Sequence, residues 1–538
     1  MRATLPQDDP HPTTRQAALD RARDHYVFDN SYHGMVALAS VPLHEKADAR
    51  WWGEAAVALA KLEANKLATK AAGGPRAGLE GYADAYSLIR TPSIVSSWRR
   101  DDVFAWQALA GANPVMLRRM TAPLPHFPVT AAQYARTAEP GDSLDRALAE
   151  GRLYLADYRV LDGLPEGELG GMKKYGFAPI ALYAWQPGRR ELVAIAIQTG
   201  QSPGQAPLFT PQDGVSWRMA RTCVMTAEGN YQGILSHFAL CHQVMESVVV
   251  AARRQLSERH PILVLLGPHF ENTLVTNEIA KKSLIGAGGN MERLQSPTLE
   301  ASLGLARRVL AAFRLTESAP PEDFRARGVD DVTALPDYPA RDDALLSWAA
   351  TAPFVDAYTR LYYASDAAVA ADTELAAWVD ELGRPEGGGL SGIARPRTVD
   401  EVAALVSRIV FRCTTYHASI NYSSFDLFSY APNMQTAAFG PGPRGGPGDT
   451  EAAFEAMIPP YDCAYEAISL FYQIGEIQLS RLGQYPSGHF DDPRVADLLA
   501  AYNARLEQAE QAIEQKNATR KLAYPFMLPS RVPLSIHV

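Results

Sequence analysis

Two histidines five residues apart, His237 and His242, stand in a run otherwise apolar enough for a buried helix, SHFALCHQVMESVVVAARRQ. That spacing constrains the backbone more than any other feature of the chain. On an ideal α-helix, residues five apart point about 140° away from each other, so the two imidazoles diverge. They align only if the helix widens locally into a π-turn, a distortion found mostly at functional sites. Without the widening, the pair is two unrelated core or surface histidines. With it, the pair opens a metal site. The segment Ser236 to Ala280 holds four of the twelve histidines, the others being His260 and His269.

The chain has 538 residues and 47% hydrophobic content, enough for a large core. Length alone allows about three or four domains, but no linker supports such a division. The net charge is −9, and no basic cluster suggests nucleic acid. The acidic balance also argues against constitutive binding to anionic membranes. Four cysteines without a CxxC pair (Cys223, Cys241, Cys413 and Cys463) read as reduced thiols of a cytoplasmic protein. The N-terminus MRATLPQDDPHPTTRQ lacks the apolar core of a secretory signal. Apolar runs such as Ile262 to Leu266 are too short to cross a bilayer. A monomer without stable membrane insertion is expected.

Residues 1–15 are polar and proline-rich, and are expected to be disordered or loosely attached. Trp51 to Lys70, rich in Ala, Leu, Glu and Lys, predicts a helix. Ser96 to Met120 predicts another, broken at Asn113-Pro114. The middle of the chain changes character. Leu153 to Leu161 has strand composition, and Phe177 to Trp185 and Glu191 to Gln198 predict a hairpin turning at Gln186 to Arg189. From Trp217 the chain is predominantly helical, with a break at Arg259-His260-Pro261. Gly/Pro-rich stretches at 317–322, 386–392 and 440–448 read as surface loops of one body. A charged amphipathic helix is expected over 492–521. The chain then closes on an apolar, proline-broken tail, LAYPFMLPSRVPLSIHV, which suggests docking into the protein. The expected fold is mainly α, with a small antiparallel β-sheet subdomain.

His417 and Asn421 lie four apart in CTTYHASINYSSFDLFSYAPNMQ, so both face one side of a helix. Alone, they read as a polar pair satisfied within a helical core. Five ordered motifs change that reading: SHFALCH, HPILVLLGPH, NEIAKKSLI, HASIN and the apolar C-terminus after Ser-Ile. Together with SSWRRDDVFAWQALAGANPVMLRRM, GRLYLADYRVLDG, AWQPGRRELVAIAIQ and ADTELAAW, they resemble the catalytic domain of the lipoxygenase family. The resemblance runs from about Trp51 to Val538, and residues 16–538 are assigned to that domain. It implies a compact bacterial form without the family's N-terminal β-sandwich lipid-binding domain.

The resemblance places the metal ligands at His237, His242, His417, Asn421 and the terminal carboxylate of Val538, where the family usually ends in Ile. It gives His260 and His269 structural roles. It puts Leu284 and Leu470 on the substrate channel and Ala280 at the stereocontrol position, where Ala accompanies S products. Three imidazoles, an amide oxygen and a carboxylate suit non-haem iron, with manganese as the other candidate. The implied reaction inserts O2 into a fatty acid carrying a cis,cis-1,4-pentadiene (linoleate or arachidonate type), with hydrogen abstraction by ferric hydroxide and an S hydroperoxide as product. Three positions depart from the family. Ser424 replaces a Gln, Gly233, with Gln232 beside it, replaces a Gln or Glu, and Ile279 stands where some relatives hold the substrate carboxylate with Arg. The first two substitutions leave open a metal-bearing lipid-binding protein with little turnover; a hydroperoxide isomerase of the same family is a third reading. The absence of HExxH disfavours a zinc hydrolase.

Overall fold

A computed structural model of the chain describes residues 3–538. Its centre is one long helix, α2, made of Val215–Tyr231, Gln232–Gln243 and Val244–Gln255 in unbroken succession. Side chains are buried on nearly every face of it. A helix that is apolar all round is either a membrane span or the core of a large protein. This one is long and apolar enough to cross a bilayer, so the expectation that no segment qualifies is corrected. It is nonetheless mostly buried inside the protein.

The other helices that shape the site pack around α2. They are α1 (Ala49–Ala71), α3 (Pro261–Phe270), α4 (Thr273–Ser283), α5 (Asn290–Leu294), α6 (Pro339–Tyr362), α7 (residues 399–421), α8 (Tyr461–Glu476) and α9 (Arg494–Asn517). The break before α3 has a physical cause. Pro261 occupies the first helical turn, where its missing N–H costs nothing, and the His260 ring caps the helix by accepting from the N–H of Ile262 at 3.2 Å. The other nitrogen of that ring bonds Asp372 at 2.9 Å, which confirms a structural role for His260.

Five antiparallel strands form a sheet in sequential order, β1 (Arg118–Arg119), β2 (Leu153–Asp157), β3 (Ile180–Gln186), β4 (Glu191–Gln198) and β5 (Leu208–Phe209). The expected hairpin is β3–β4, with a register shift between Leu182 and Tyr183. The outer face of the sheet builds a small core of its own around Phe127, Leu153, Ile180 and Ile195. A single larger core extends from Leu5 to Val538.

Two expectations are corrected. The helix predicted over 96–120 spans only Asp101–Ala110. It stops before the Asn113-Pro114 break, and Arg118–Arg119 joins the sheet. Residues 3–15 are ordered onto the body. Pro6–Asp8 forms a turn of 3₁₀-helix and Pro12–His25 a helix. Leu5 is buried, and Arg15 donates to Asp9 and Glu374 at 2.8 Å each. Composition could not reveal a partner lying so far along the chain. Met1 and Arg2 lie outside the described residues.

The apolar tail is docked as expected. Leu534, Ile536 and Val538 are buried. The imidazole of His269 donates to the carbonyl of Leu534 at 2.6 Å and faces the Tyr485 hydroxyl at 2.9 Å. The indole N–H of Trp51 donates to the carbonyl of His537 at 2.8 Å. These bonds satisfy main-chain groups that burial would otherwise leave without partners.

Candidate metal centre

The π-widening demanded by the five-residue spacing is present. Gln232–Gln243, twelve residues in all, is π-helix. His237 and His242 therefore share a face, with their Nε2 atoms 3.1 Å apart. His417 approaches from α7, in which a second π segment, Arg412–Tyr416, runs directly into the α-helical turn His417–Asn421. The three imidazole ligand atoms lie within 4.8 Å of one another. Ring centroids of His417 stand 5.4 Å from His237 and 5.3 Å from His242.

The electrostatics suit metal binding. Burial disfavours the imidazolium form and pushes His242 down to about 4, with the bond to Asn277 opposing. His237 and His417 are held well below the ordinary histidine range, first by burial and then by their neighbouring rings. At neutral pH all three rings are uncharged and offer lone pairs. Neither ring nitrogen of His417 has a hydrogen-bond partner among the described residues, and the same holds for Oδ1 of Asn421. The Asn421 amide is oriented by its Nδ2, which donates to the carbonyl of Ile474 at 2.6 Å. Buried polar atoms are rarely left unpaired, and a cation between these groups would satisfy them. The donor set, imidazole and amide oxygen without thiolate, fits iron.

A cavity of about 240 Å³ opens beside these residues. His237, His242 and Val538 line it, as do Ala280, Leu284 and Leu470. The structure thus brings every residue assigned to the channel to the same space as the histidine pair. Gln232 also lines it. Its Nε2 donates to the carbonyl of Ile420 at 2.8 Å and to Oγ of Ser424 at 3.3 Å. Ser424, one of the departures, is therefore linked to Gln232, the neighbour of another, Gly233, while the Ile420 carbonyl ties the same amide to α7.

Comparison with known proteins bears on the same residues. The family model described as "Lipoxygenase" matches residues 86–525. A Pseudomonas aeruginosa protein named "Linoleate 9/13-lipoxygenase" is 35% identical over 495 residues, covering 88% of this chain and 72% of its own. The chain belongs to the lipoxygenase family. A human relative named "Hydroperoxide isomerase ALOXE3" is 32% identical over 463 residues, covering 84% of this chain and 64% of its own. Among solved structures, the anaerobic crystal structure of "delta413-417:GS LOX in complex with arachidonate" superposes with a TM-score of 0.93 at 26% identity, covering all of this chain and 84% of that one. The fold is the lipoxygenase fold, and the protein is a fatty-acid dioxygenase of a family that carries non-haem iron.

One functional residue of this lipoxygenase was not singled out from sequence. Asn277, on α4, receives the Nδ1–H of His242 on its Oδ1 at 2.8 Å. Its orientation is fixed because Nδ2 donates to the Glu246 carboxylate at 3.0 Å and to the carbonyl of His242 at 3.2 Å. The ring proton is therefore held on Nδ1, and the Nε2 lone pair faces the centre. Glu246 in turn accepts from Lys281 Nζ and from the N–H of Leu38, each at 2.7 Å. Asn277 lies inside the motif NEIAKKSLI, so the signal was present, but nothing in the spacing tied it to His242.

Proposed function

We propose that His237, His242, His417, Asn421 and the terminal carboxylate of Val538 hold one non-haem iron, and that the chain oxygenates polyunsaturated fatty acids to S hydroperoxides. The observation that carries this reading is the convergence of three uncharged imidazoles, the half-buried His237 and His242 at the wall of an apolar cavity and the buried His417 behind them, on the helix turn that also carries the unpartnered amide oxygen of Asn421. Bound iron supplies the redox chemistry that removes a hydrogen atom from the methylene between two cis double bonds. The chain supplies the rest. Ile279, Leu284 and Leu470 hold the hydrocarbon and exclude water. Asn277 holds the proton of His242 on Nδ1. The methyl group of Ala280 lines the cavity and shields one end of the pentadienyl segment from oxygen, which favours S configuration. The preferred substrates are of linoleate or arachidonate type, and iron is preferred over manganese. The chain is taken as a monomer and as cytoplasmic, the compartment being supported by its four unpaired thiols. Residues 16–538, together with the packed segment 3–15, form the catalytic unit.

Oxygen uptake with linoleate, followed by conjugated-diene absorbance and chiral product analysis, tests the proposal. Diene formation with a mainly S product is expected. Binding without uptake would identify a lipid carrier. Loss of diene absorbance from added hydroperoxide, without uptake, would favour an isomerase, the activity named for the human relative.

A further inference from the structure

Gln295 has no part in the reaction described above. It follows α5, is 7% exposed, and lines the cavity with His237 and His242. Its main chain is rigidly held. The N–H of Gln295 donates to the carbonyl of Met291 at 3.1 Å, and its carbonyl accepts from the buried Lys174 ammonium at 2.5 Å. The same ammonium donates to the carbonyl of Glu292 at 2.6 Å. The side chain reaches across to α2. A Cβ built on Gly233 would stand 2.3 Å from Nε2 of Gln295, so the amide fits there only because residue 233 is glycine. Gly233 lies on the π-helical stretch that carries His237. At the other end of the amide, Oε1 is buried and has no hydrogen-bond partner among the described residues.

A buried acceptor without a donor costs free energy, and a ligand that brings the donor recovers it. The hydrocarbon segment of a polyunsaturated fatty acid has no such group. Its oxygenated derivatives have one, the O–H of a hydroperoxide or alcohol. A hydroxyl also accepts, so it can pair with the amide in either orientation. Sites built to meet a hydroxyl discriminate against the analogue that lacks it.

We propose that Gln295, in the space left by Gly233, forms a hydroxyl-recognition subsite, so that the cavity binds oxygenated fatty acids more tightly than their parent. The proposal rests on the reading that this cavity takes fatty acids. Gln295 is the residue that tells product from substrate.

The test is equilibrium binding to the metal-loaded protein under anaerobic conditions, comparing linoleate with its regioisomeric monohydroxy derivatives. At least one hydroxy acid is expected to bind about fivefold more tightly, the equivalent of ~1 kcal/mol. Gln295→Met keeps the length and removes the amide, and the ratio should fall to about one. Gly233→Ala leaves Gln295 in place but drives its amide out of position, so its ratio should fall as well. It also serves if Gln295→Met does not fold. The double variant should lose nothing further. Equal affinities in the wild type, or a ratio unchanged in the variants, would overturn the subsite alone. Failure of linoleate and every hydroxy derivative to bind would overturn the cavity reading with it.

Discussion

Replacing Asn277 with Ala should loosen the metal and cost the fold only part of its stability. Asn277 makes three hydrogen bonds, to His242 Nδ1 at 2.8 Å, to the His242 carbonyl at 3.2 Å and to Glu246 at 3.0 Å. The first one matters for the metal. Without it, the ring proton of His242 can move to Nε2, the nitrogen that faces His237, and that nitrogen then offers no lone pair. Loss of such an outer partner typically costs ten- to a hundredfold in metal affinity, or ~1.4–2.7 kcal/mol. The fold loses less than the bond count suggests. Glu246 keeps Lys281 and the Leu38 N–H as donors, so a destabilisation of ~1–3 kcal/mol is expected. Chelator competition measures iron affinity, and thermal unfolding of the metal-free protein measures the fold. Iron affinity within twofold of wild type, with the apoprotein destabilised, would refute the claim that Asn277 sets the tautomer of His242.

Three further outcomes are expected. Burial pushes the Glu228 carboxyl up to about 7 despite the 2.6 Å bond from Asn113, so the folded state holds a proton that the unfolded chain releases near 4.5. Stability should therefore fall as pH rises from about 4.5 through 7. Glu228→Gln should match wild type near pH 4.5 and exceed it by up to ~3 kcal/mol above pH 7 in denaturant titrations; parallel pH profiles would contradict this. Adding one residue after Val538 should abolish iron retention and oxygen uptake, because the new carboxylate would lie about 3.3–3.6 Å further along a packed tail; Val538→Ile should be nearly silent. Ala280→Gly should raise the R fraction of the product on chiral chromatography, and an unchanged ratio would remove Ala280 from stereocontrol.

Much of the centre was legible through the motifs that resemble the family, since spacing alone left His237 and His242 open between two unrelated histidines and a metal pair. Once they are taken to share an ion, two histidines five apart need the π-helix that the structure contains. The second π segment, Arg412–Tyr416, left no such mark. His417 and Asn421 are four apart and need only an α-turn, and the distortion lies upstream of both. The apolar end of the chain announced its own burial, since a frayed terminus would be polar. Other features arise from contacts between distant segments and have no local signature. Arg15 pairs with Glu374, which turned a polar, proline-rich start into packed structure. Gln295 meets Gly233 only once α5 and α2 are placed. The early stop at Ala110 was foreshadowed by Gly111 and by Asn113-Pro114, but helical composition beyond them masked it.

The central claim is that five groups from α2, α7 and the C-terminus converge on one iron. Diffraction from crystals of the iron-loaded protein, recorded on both sides of the iron absorption edge, tests it most directly. A single anomalous peak bonded to His237, His242, His417 and the carboxylate of Val538, with Asn421 Oδ1 facing it, is the predicted result. A peak elsewhere, or a Val538 carboxylate turned away from the metal, would contradict it.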